Sequence, residues 1–264
     1  MQPRRIFDPA LDVSCDTATL SFRYGPGVFG PRKSELRRLD DVRCSLLDPN
    51  CDGPDPLYGI VMDVGRVAHQ SELRDRMLLF GVVAFAPGRL GDEPVRSQGH
   101  VHAVAPHCGC STPEVIEVWR GRAIVFLQQF AAVDAGRCVA IELAPGGVAV
   151  IPPGWAHCVM NAAIHESLIF GAFCDRQYAF EYDAVRARGG LSWFAHLDET
   201  GEIAWRRNPR YSASELTLHT GRAYPELGLD PSLPIYQQFA NAPACMQWVS
   251  QPAQVRALWD GFEP

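Results

Sequence analysis

The sequence predicts an all-β protein built around a single antiparallel β-sandwich or barrel. Eight short runs between residues 57 and 175 are rich in β-branched and aromatic residues and are bounded by Gly, Pro or Asp. No long amphipathic helices alternate with these runs, which argues against a doubly wound sheet. No internal repeat is visible, so we expect one barrel rather than two. The runs are LYGIVMDVG, MLLFGVVAFAP, HVHAV, EVIEVWRG, AIVFLQQF, CVAIEL, GVAVIPP and SLIFGAFC.

Two flanking segments complete the predicted organisation. Residues 1–56 are rich in Pro, Gly and Asp and indicate an N-terminal arm, with a helical turn at residues 34–39, SELRRL. Residues 57–175 form the barrel. Residues 176–264 form a C-terminal extension that begins with a short helix ending at a Gly-Gly pair and continues with a hairpin whose turn lies at residues 198–201. Its Pro-rich tail still carries Leu, Tyr, Phe and Trp, so we expect it to wrap the barrel or reach a dimer partner.

Composition excludes several classes of function. A net charge of −6 gives no basic face for nucleic acid, and no apolar run is long enough to span a membrane. The N-terminus lacks the apolar core of a secretory signal. Nine scattered cysteines, an odd number, indicate a reduced chain. We therefore expect a cytoplasmic protein that acts on a small molecule. We also expect a homodimer, because the edge strands of a small barrel need cover.

Three histidines and one carboxylate form a candidate metal site. His100 and His102 are two residues apart, so in a strand both project into the same interior. Glu114 begins the next run and can reach the same point. His157 follows a rigid Pro-Pro-Gly turn that would bring a later strand back across the barrel. Imidazole suits Fe, Mn, Ni, Zn and Cu alike. Four protein ligands leave coordination positions for water or substrate, which is typical of a catalytic metal.

Some residues near this site have competing interpretations. His107 lies between His102 and Glu114 and is a rival ligand. The adjacent Cys108 and Cys110 could form an accessory metal or redox site with it, or simply part of a small-residue loop. Glu117 faces away from Glu114 by strand parity, which predicts a surface or interface position.

The motifs around these residues resemble those of the cupin superfamily. The first motif consists of His-Val-His, Glu114, six residues and Gly121, although Pro94 stands six residues before His100 where the family has Gly. The second motif, GGVAVIPPGWAHCVMN at residues 146–161, matches at every position. Within the cupins, the chain resembles the cupin-type glucose-6-phosphate isomerases of archaea and bacteria over most of its length. The segments that carry this resemblance are SELRRLDD, AFAPGRLGDEPVRSQGHVHA, PEVIEVWRG, VIPPGWAHCVMN, GEIAWRRNPRY and LGLDPSLPIYQQF.

This resemblance implies a cupin jelly-roll barrel, also called a double-stranded β-helix. It implies Fe²⁺ as the expected ion, with Mn²⁺, Ni²⁺ or Zn²⁺ able to replace it. The implied metal ligands are His100, His102, Glu114 and His157, and Glu114 is also the candidate catalytic base. A proton transfer through this glutamate and a hydride shift between the two sugar carbons both remain open.

The resemblance also implies a substrate pocket. Ser97 and Gly99 correspond to the loop that holds the substrate phosphate, with Arg89 or Arg96 as possible cationic help. Tyr182 keeps a substrate-facing tyrosine of the family. Other pocket positions depart from the family pattern, and about five residues are inserted between His102 and Glu114. The departures are Val83 for Thr, Ile116 for Tyr, Gly154 for an aromatic residue and Phe180 for His.

These observations support more than one function. The first is an aldose–ketose isomerase that interconverts glucose 6-phosphate and fructose 6-phosphate, or a related sugar, in glycolysis or gluconeogenesis. The second is a metal-dependent cupin of changed chemistry, such as another sugar isomerase or epimerase or an iron-dependent oxygenase. A non-catalytic sugar-binding cupin is the third. The altered pocket residues motivate the second hypothesis.

Overall fold

The computed structural model describes residues 7–198 and 200–264. Strands account for 37% of the structure and helices for 18%, which confirms a mostly β chain. In chain order the strands are β1 (Val13–Asp16), β2 (Ser21–Tyr24), β3 (Val28–Phe29), β4 (Glu35–Arg37), β5 (Tyr58–Met62), β6 (Gly65–Arg66), β7 (Leu78–Phe85), β8 (Arg89–Leu90), β9 (Glu93–Pro94), β10 (Val101–His102), β11 (Val104–Ala105), β12 (Cys110–Ser111), β13 (Glu114–Arg120), β14 (Ala123–Gln128), β15 (Cys138–Leu143), β16 (Val148–Ile151), β17 (Ala156–Asn161), β18 (Leu168–Asp175), β19 (Phe180–Glu181), β20 (Trp193–Leu197), β21 (Ile203–Arg207) and β22 (Leu216–Thr220).

Helices are short and lie mainly at the two ends of the chain. The α-helices are α1 (Leu39–Val42), α2 (Gln70–Asp75), α3 (Asp183–Ala187), α4 (Ile235–Asn241), α5 (Gln247–Ser250) and α6 (Arg256–Trp259). The 3₁₀ helices are Arg43–Ser45, Val67–His69, Pro225–Leu227, Pro243–Met246 and Pro252–Val255. No helix in the described ranges is both long and apolar enough to cross a bilayer.

Two main sheets form the body of the molecule. The larger has six strands in the order β16-β13-β18-β7-β5-β4, and the smaller has four in the order β17-β14-β15-β22. Strand pairs whose members both lie within residues 57–175 are antiparallel, as predicted. The C-terminal strand β22 adds to the small sheet in parallel with β15. Within the described residues, no closed ring of hydrogen-bonded strands is detected.

The principal core lies between these two sheets. Successive residues of a strand point to opposite faces, so every second residue enters the core. Ile116 and Phe170 enter it from the large sheet, and Val125, Leu127 and Val159 enter it from the small sheet. All five are at least 95% buried. Four of these five residues are β-branched or aromatic, Leu127 being the exception, and such residues favour strands.

The C-terminal segment covers the outer face of the large sheet. Phe80 and Phe173, on neighbouring strands, pack against Tyr236 and Phe239 of α4 with ring centroids 5.1 and 5.3 Å apart. Burying each aromatic side chain contributes about 1.5–3 kcal/mol. The large sheet is therefore apolar on both faces, which is why β7 lacks an alternating pattern.

The structure corrects one prediction about the N-terminal segment and confirms two about the C-terminal one. The helical turn predicted at residues 34–39 is instead strand β4, which pairs with β5, and α1 begins only at Leu39. The Asp41 carboxylate accepts a hydrogen bond of 2.8 Å from the backbone N–H of Arg38, the single residue between β4 and α1. This contact fixes the start of the helix. Helix α3 and the β20–β21 hairpin form as predicted, although residue 199 of the hairpin turn lies outside the described residues.

Candidate metal centre

Three imidazoles meet at one end of the space between the sheets. His157 lies on β17, and residue 100 pairs with it through two backbone hydrogen bonds of 3.1 and 2.9 Å. His102 follows on β10, and strand alternation turns it to the same side as His100. The ring centroid of His157 lies 4.3 Å from that of His100 and 5.0 Å from that of His102. One nitrogen from each ring lies within 4.8 Å of the other two, so the cluster could bind a metal ion.

Backbone carbonyls fix the orientation of all three rings. The Nδ1 atoms of His100, His102 and His157 lie 3.0, 2.9 and 3.3 Å from carbonyl oxygens of residues 98, 112 and 155. A carbonyl can only accept a hydrogen bond, so each Nδ1 carries the proton. Each Nε2 is left with a free lone pair, which is the form of histidine that binds a metal. The Nε2 of His102 is buried and makes no hydrogen bond of regular geometry; its polar neighbour is the Glu114 carboxylate.

Glu114 completes a four-donor arrangement. As the first residue of β13 it lies on the large sheet and faces the histidines across the cavity. Its Oε2 is 3.3 Å from Nε2 of His102 and 3.5 Å from Nε2 of His157. Metal bonds of about 2.0–2.1 Å at octahedral to tetrahedral angles hold neighbouring donors about 2.9–3.4 Å apart. The two Glu114 distances are close to this range, and the nitrogens of the three histidines lie within 4.8 Å of one another.

Burial and mutual contact set the charges of this cluster. Burial lowers the pKa of His100 well below its usual 6.5, and the neighbouring imidazoles add to the effect. Burial alone would raise the pKa of Glu114, but its contacts with His102 and His157 outweigh burial and hold that pKa far below the ordinary value. Burial alone would lower the pKa of His102, but its contact with Glu114 raises it above the usual 6.5. A divalent ion would bind the ionised carboxylate and the deprotonated Nε2 atoms and so release the proton that this pair holds.

The cluster opens into a cavity of about 190 Å³ between the sheets. Aliphatic and aromatic side chains form most of its wall. Val83 and Ile116 line it, and Phe180 packs on His100 and His102 with centroid distances of 4.4 and 5.5 Å. These are three of the positions at which the sequence departs from the isomerase pattern. Polar groups are confined to the metal cluster, to residues 97 and 98, and to a group at the mouth that comprises Glu35, Arg37, Tyr58, Tyr178 and Tyr182.

The structure brings together some of the predicted substrate residues and separates others. Ser97 lines the cavity, and its Oγ accepts the Val159 N–H at 3.0 Å. Tyr182 also lines it, with its ring 5.9 Å from that of His100. Gly99 does not line the cavity. A Cβ at this position would lie only 2.9 Å from the Leu191 side chain, so close packing explains why the residue is a glycine.

Neither arginine proposed to help with phosphate lines the cavity. Arg89 is exposed on β8. Arg96 is buried, pairs with Glu93 at 3.0 Å and donates to the carbonyl of Ser45. Its charge is therefore neutralised within the protein. Gly154 likewise lies outside the lining; its φ is +79°, and it forms the turn before His157.

The His107 loop lies apart from the metal cluster. The Nε2 of His107 is 3.2 Å from Oδ2 of Asp175 and 3.0 Å from the carbonyl of Ser250, and the ring is not part of the histidine cluster. The sulfurs of Cys108 and Cys110 are 3.4 Å apart and both thiols are free. Among the described residues, no third ligand joins these two thiols in a metal-binding group.

Glu117 is not on the surface, and that part of its prediction is wrong. Strand parity does place it opposite Glu114, but the C-terminal segment covers that face and leaves Glu117 only 1% exposed. Its Oε1 accepts the Ile235 N–H at 2.9 Å, and its Oε2 accepts the indole N–H of Trp119 at 3.2 Å. The covering residue lies more than a hundred positions away, so local sequence gives no signal of it.

Sequence reasoning also missed the polar residues at the cavity mouth. Glu35 and Arg37 come from β4 in the N-terminal segment, and Tyr58 comes from the paired position on β5. The one available signal was the alternation of Glu35, Leu36 and Arg37, which fits a strand better than a helical turn.

Comparison with known proteins identifies the family of the chain. A sequence profile of the family described as "Glucose-6-phosphate isomerase (GPI)" matches residues 49–214, which includes both main sheets' central strands and the histidine cluster. The chain belongs to the cupin-type glucose-6-phosphate isomerase family. The chain is therefore homologous to glucose-6-phosphate isomerases of the cupin type.

Individual relatives within the isomerase family are distant. Glucose-6-phosphate isomerase of Thermococcus gammatolerans is 29% identical over 190 residues, covering 70% of this chain and 92% of that protein. The enzyme of Pyrococcus furiosus is 28% identical over 193 residues, covering 71% and 93%. The enzyme of Sinorhizobium medicae is 24% identical over 206 residues, covering 77% and 86%. The part of the chain beyond the profile match, after residue 214, includes the segment that covers the large sheet.

Solved structures resemble the chain only weakly. Oxalate oxidase in complex with the substrate analogue glycolate has a TM-score of 0.35 and 19% identity, covering 48% of this chain and 55% of that one. Vicilin from Corylus avellana has a TM-score of 0.37 and 12% identity, covering 60% and 37%. Similarity this low says nothing about function.

Proposed function

We propose that this protein is a metal-dependent aldose–ketose isomerase that interconverts glucose 6-phosphate and fructose 6-phosphate, or a closely related sugar. The observation that carries the proposal is the convergence of three Nε2 atoms and the Glu114 carboxylate at the base of a cavity, in a chain of this isomerase family. His100, His102, Glu114 and His157 would hold the ion. Fe²⁺ is the ion we expect, with Mn²⁺, Ni²⁺ and Zn²⁺ as alternatives.

The chain's own residues would position the sugar and move the proton. A bound divalent ion would supply Lewis-acid polarisation of the sugar carbonyl. Glu114 is 16% exposed at the cavity base, so its carboxylate can reach a bound sugar and carry a proton between C1 and C2. Ser97 and Tyr182, which line the cavity, would hold the far end of the substrate. The apolar wall excludes water, which strengthens each of these polar contacts.

The proposal includes an organisation of the chain. Residues 57–175 would form the cupin jelly-roll barrel, residues 1–56 an arm packed on it and residues 176–264 an extension. The facing six- and four-stranded sheets support a jelly roll. We further propose a homodimer, in which a second copy covers exposed strand edges.

One experiment tests the proposed activity. The purified protein is stripped of metal and reloaded anaerobically with each of the four ions in turn, and the metal content is measured. Isomerisation of fructose 6-phosphate is followed by coupling glucose 6-phosphate to its dehydrogenase. We expect one metal per chain and metal-dependent turnover. Full metal loading without isomerisation by any of the four ions would contradict the proposal.

The apolar cavity wall supports a second candidate, a metal-dependent cupin of changed chemistry. Val83, Ile116 and Phe180 place hydrocarbon where the isomerase pattern has hydroxyl groups and an imidazole. A hydrogen bond to a charged group contributes about 1.5–3 kcal/mol, so their loss weakens the hold on a phosphosugar. Oxygen consumption by the Fe²⁺-loaded protein with candidate carbonyl substrates would favour this candidate over the isomerase.

A further inference from the structure

The cavity contains a cation that neither sequence motif supplies. Of the lysines and arginines in residues 7–198 and 200–264, Arg37 alone lines the cavity. It lies on β4, the edge strand of the large sheet, and comes from the N-terminal segment rather than from the strands that carry the metal-binding motifs. Its side chain is 26% exposed, so the guanidinium is partly shielded from water yet can still be reached.

Two tyrosines accompany Arg37 in the cavity. Arg37 pairs with Tyr58 across β4 and β5, and Tyr58 is only 5% exposed. Ser97 and Gln98 line the same cavity as Arg37 and Tyr58. Tyr182 lines it too; burial raises the pKa of Tyr182, and the nearby Arg37 guanidinium opposes that rise. Arg37 therefore shares the cavity with residue 97, where the isomerase resemblance puts the phosphate.

Glu35 is the ion-pair partner of the Arg37 guanidinium. Its carboxylate forms an ion pair with Arg37, and both side chains line the cavity. The Glu35 side chain is 54% exposed, about twice the exposure of its partner. An ion pair with one exposed member is weak because water competes for the carboxylate. A ligand that brings two negative charges and the geometry for a bidentate contact would displace it.

We propose that Arg37 is the anion-binding residue of this cavity, and that it takes the dianionic phosphate of a phosphomonoester sugar in exchange for Glu35. This inference rests on the proposed isomerase function. It supplies the cation that Arg89 and Arg96 cannot provide, and it offsets the hydroxyl missing at Val83. Under this proposal, strand β4, which lies outside the metal-binding motifs, distinguishes phosphorylated from unphosphorylated sugars.

Kinetics with matched substrates test the assignment. The metal-loaded full-length chain is assayed with fructose 6-phosphate and with unphosphorylated fructose. Arg37→Ala should raise KM for fructose 6-phosphate about tenfold to a hundredfold, since one charge-assisted contact is lost, while kcat changes little. KM for fructose should change less than about twofold. Arg37→Lys keeps the charge without the bidentate fork and should fall between the two.

Two further variants separate the subsite from general charge effects. Glu35→Gln removes the competing carboxylate and should lower KM for fructose 6-phosphate and the inhibition constant of inorganic phosphate. Arg38→Ala removes the same charge one residue away, at a side chain that is 60% exposed and outside the cavity lining, and should leave KM near the wild-type value. Equal melting temperatures would show that all variants are folded.

The outcomes distinguish this inference from the proposed function. If the wild type isomerises fructose 6-phosphate and Arg37→Ala leaves its KM unchanged, or raises both sugars' KM equally, the subsite is wrong and the function stands. If neither sugar is turned over, calorimetry of fructose 6-phosphate binding decides. Binding that is lost in Arg37→Ala and kept in Arg38→Ala would support the anion subsite while the isomerase proposal fails. Equal binding by both variants would overturn the subsite.

Discussion

Replacing Glu117 by Gln should flatten the dependence of stability on pH. This carboxylate is 1% exposed and ties β13 to the start of α4 through its contact with the Ile235 N–H. Burial raises the pKa of Glu117 to about 7 from its usual 4.5, and the hydrogen bonds from Ile235 and Trp119 oppose the shift only in part. The native protein therefore keeps a proton at this group at pH values where the unfolded chain has released it.

The sign and size of the effect follow from linkage. Between pH 4.5 and about 7 the native state binds more protons than the unfolded state, so the free energy of unfolding falls as pH rises. The contribution of Glu117 is fully present below pH 4.5 and is lost above about pH 7. At 1.36 kcal/mol per pKa unit, the loss is about 3 kcal/mol. Glutamine does not ionise, so its contribution does not depend on pH. Its single carbonyl oxygen can accept only one of the hydrogen bonds from Ile235 and Trp119, which should lower the free energy of unfolding by about 1–3 kcal/mol at low pH.

Urea unfolding between about pH 5 and about pH 8 measures the prediction. The free energy of unfolding of wild type minus that of Glu117→Gln should shrink by about 2.5 kcal/mol across this range, since the window begins above the unfolded pKa. The metal cluster is intact in both proteins, so its own pH dependence cancels. Glu215→Gln, at an exposed carboxylate, is the control and should run parallel to wild type. Parallel profiles for wild type and Glu117→Gln would refute the reasoning.

Three other predictions concern the metal, the backbone and the assembly. His157→Ala should lose most metal affinity and all turnover while far-ultraviolet circular dichroism stays native, because a catalytic ion adds little to a complete core; full metal stoichiometry and activity in this variant would contradict its role. Gly121→Ala should reduce the free energy of unfolding by about 2–4 kcal/mol, because φ is +83° and the new Cβ would lie 2.8 Å from the Ser167 carbonyl oxygen. Gly27→Ala, at φ +75° with open space around it, should lose only about 1 kcal/mol and isolates the backbone contribution. Light scattering should show a homodimer of about twice 29.1 kDa, and a species of 29.1 kDa alone at micromolar concentration would exclude it.

Features that depend on neighbouring residues could be predicted from sequence. The run CVAIEL became β15 with the predicted bounds, and EVIEVWR became β13, because β-branched residues between turn residues specify a strand locally. The same two-residue alternation turns His100 and His102 to one side. His157 joined them because the Pro-Pro-Gly turn returns the chain directly before its strand.

Features that depend on distant segments of the chain could not be predicted from sequence. Glu117 was placed on the correct face of its strand, but nothing near it indicates that α4 covers that face. Residues 34–39 have helix-forming composition, and only pairing with β5 makes three of them a strand. Arg37 and Tyr58 are brought to the cavity by the pairing of β4 with β5, which local sequence does not specify. Each of these failures has the same physical origin, since tertiary pairing overrides local propensity.

Part of the substrate wall lies on strands that carry none of the expected metal ligands, and this has a consequence for specificity. The carbonyl contacts that orient the three imidazoles come from residues 98, 112 and 155, at most ten positions from the histidines they hold. The wall that would select a substrate includes Val83 and Ile116 on the large sheet and Arg37 on its edge strand. Val83 and Arg37 lie on strands that carry none of the expected metal ligands, so substitutions there can change the ligand of the cavity, whereas Phe180 packs on the rings of His100 and His102. The retained metal motifs therefore argue for the chemistry of the centre, whereas the choice of substrate must be argued from the wall.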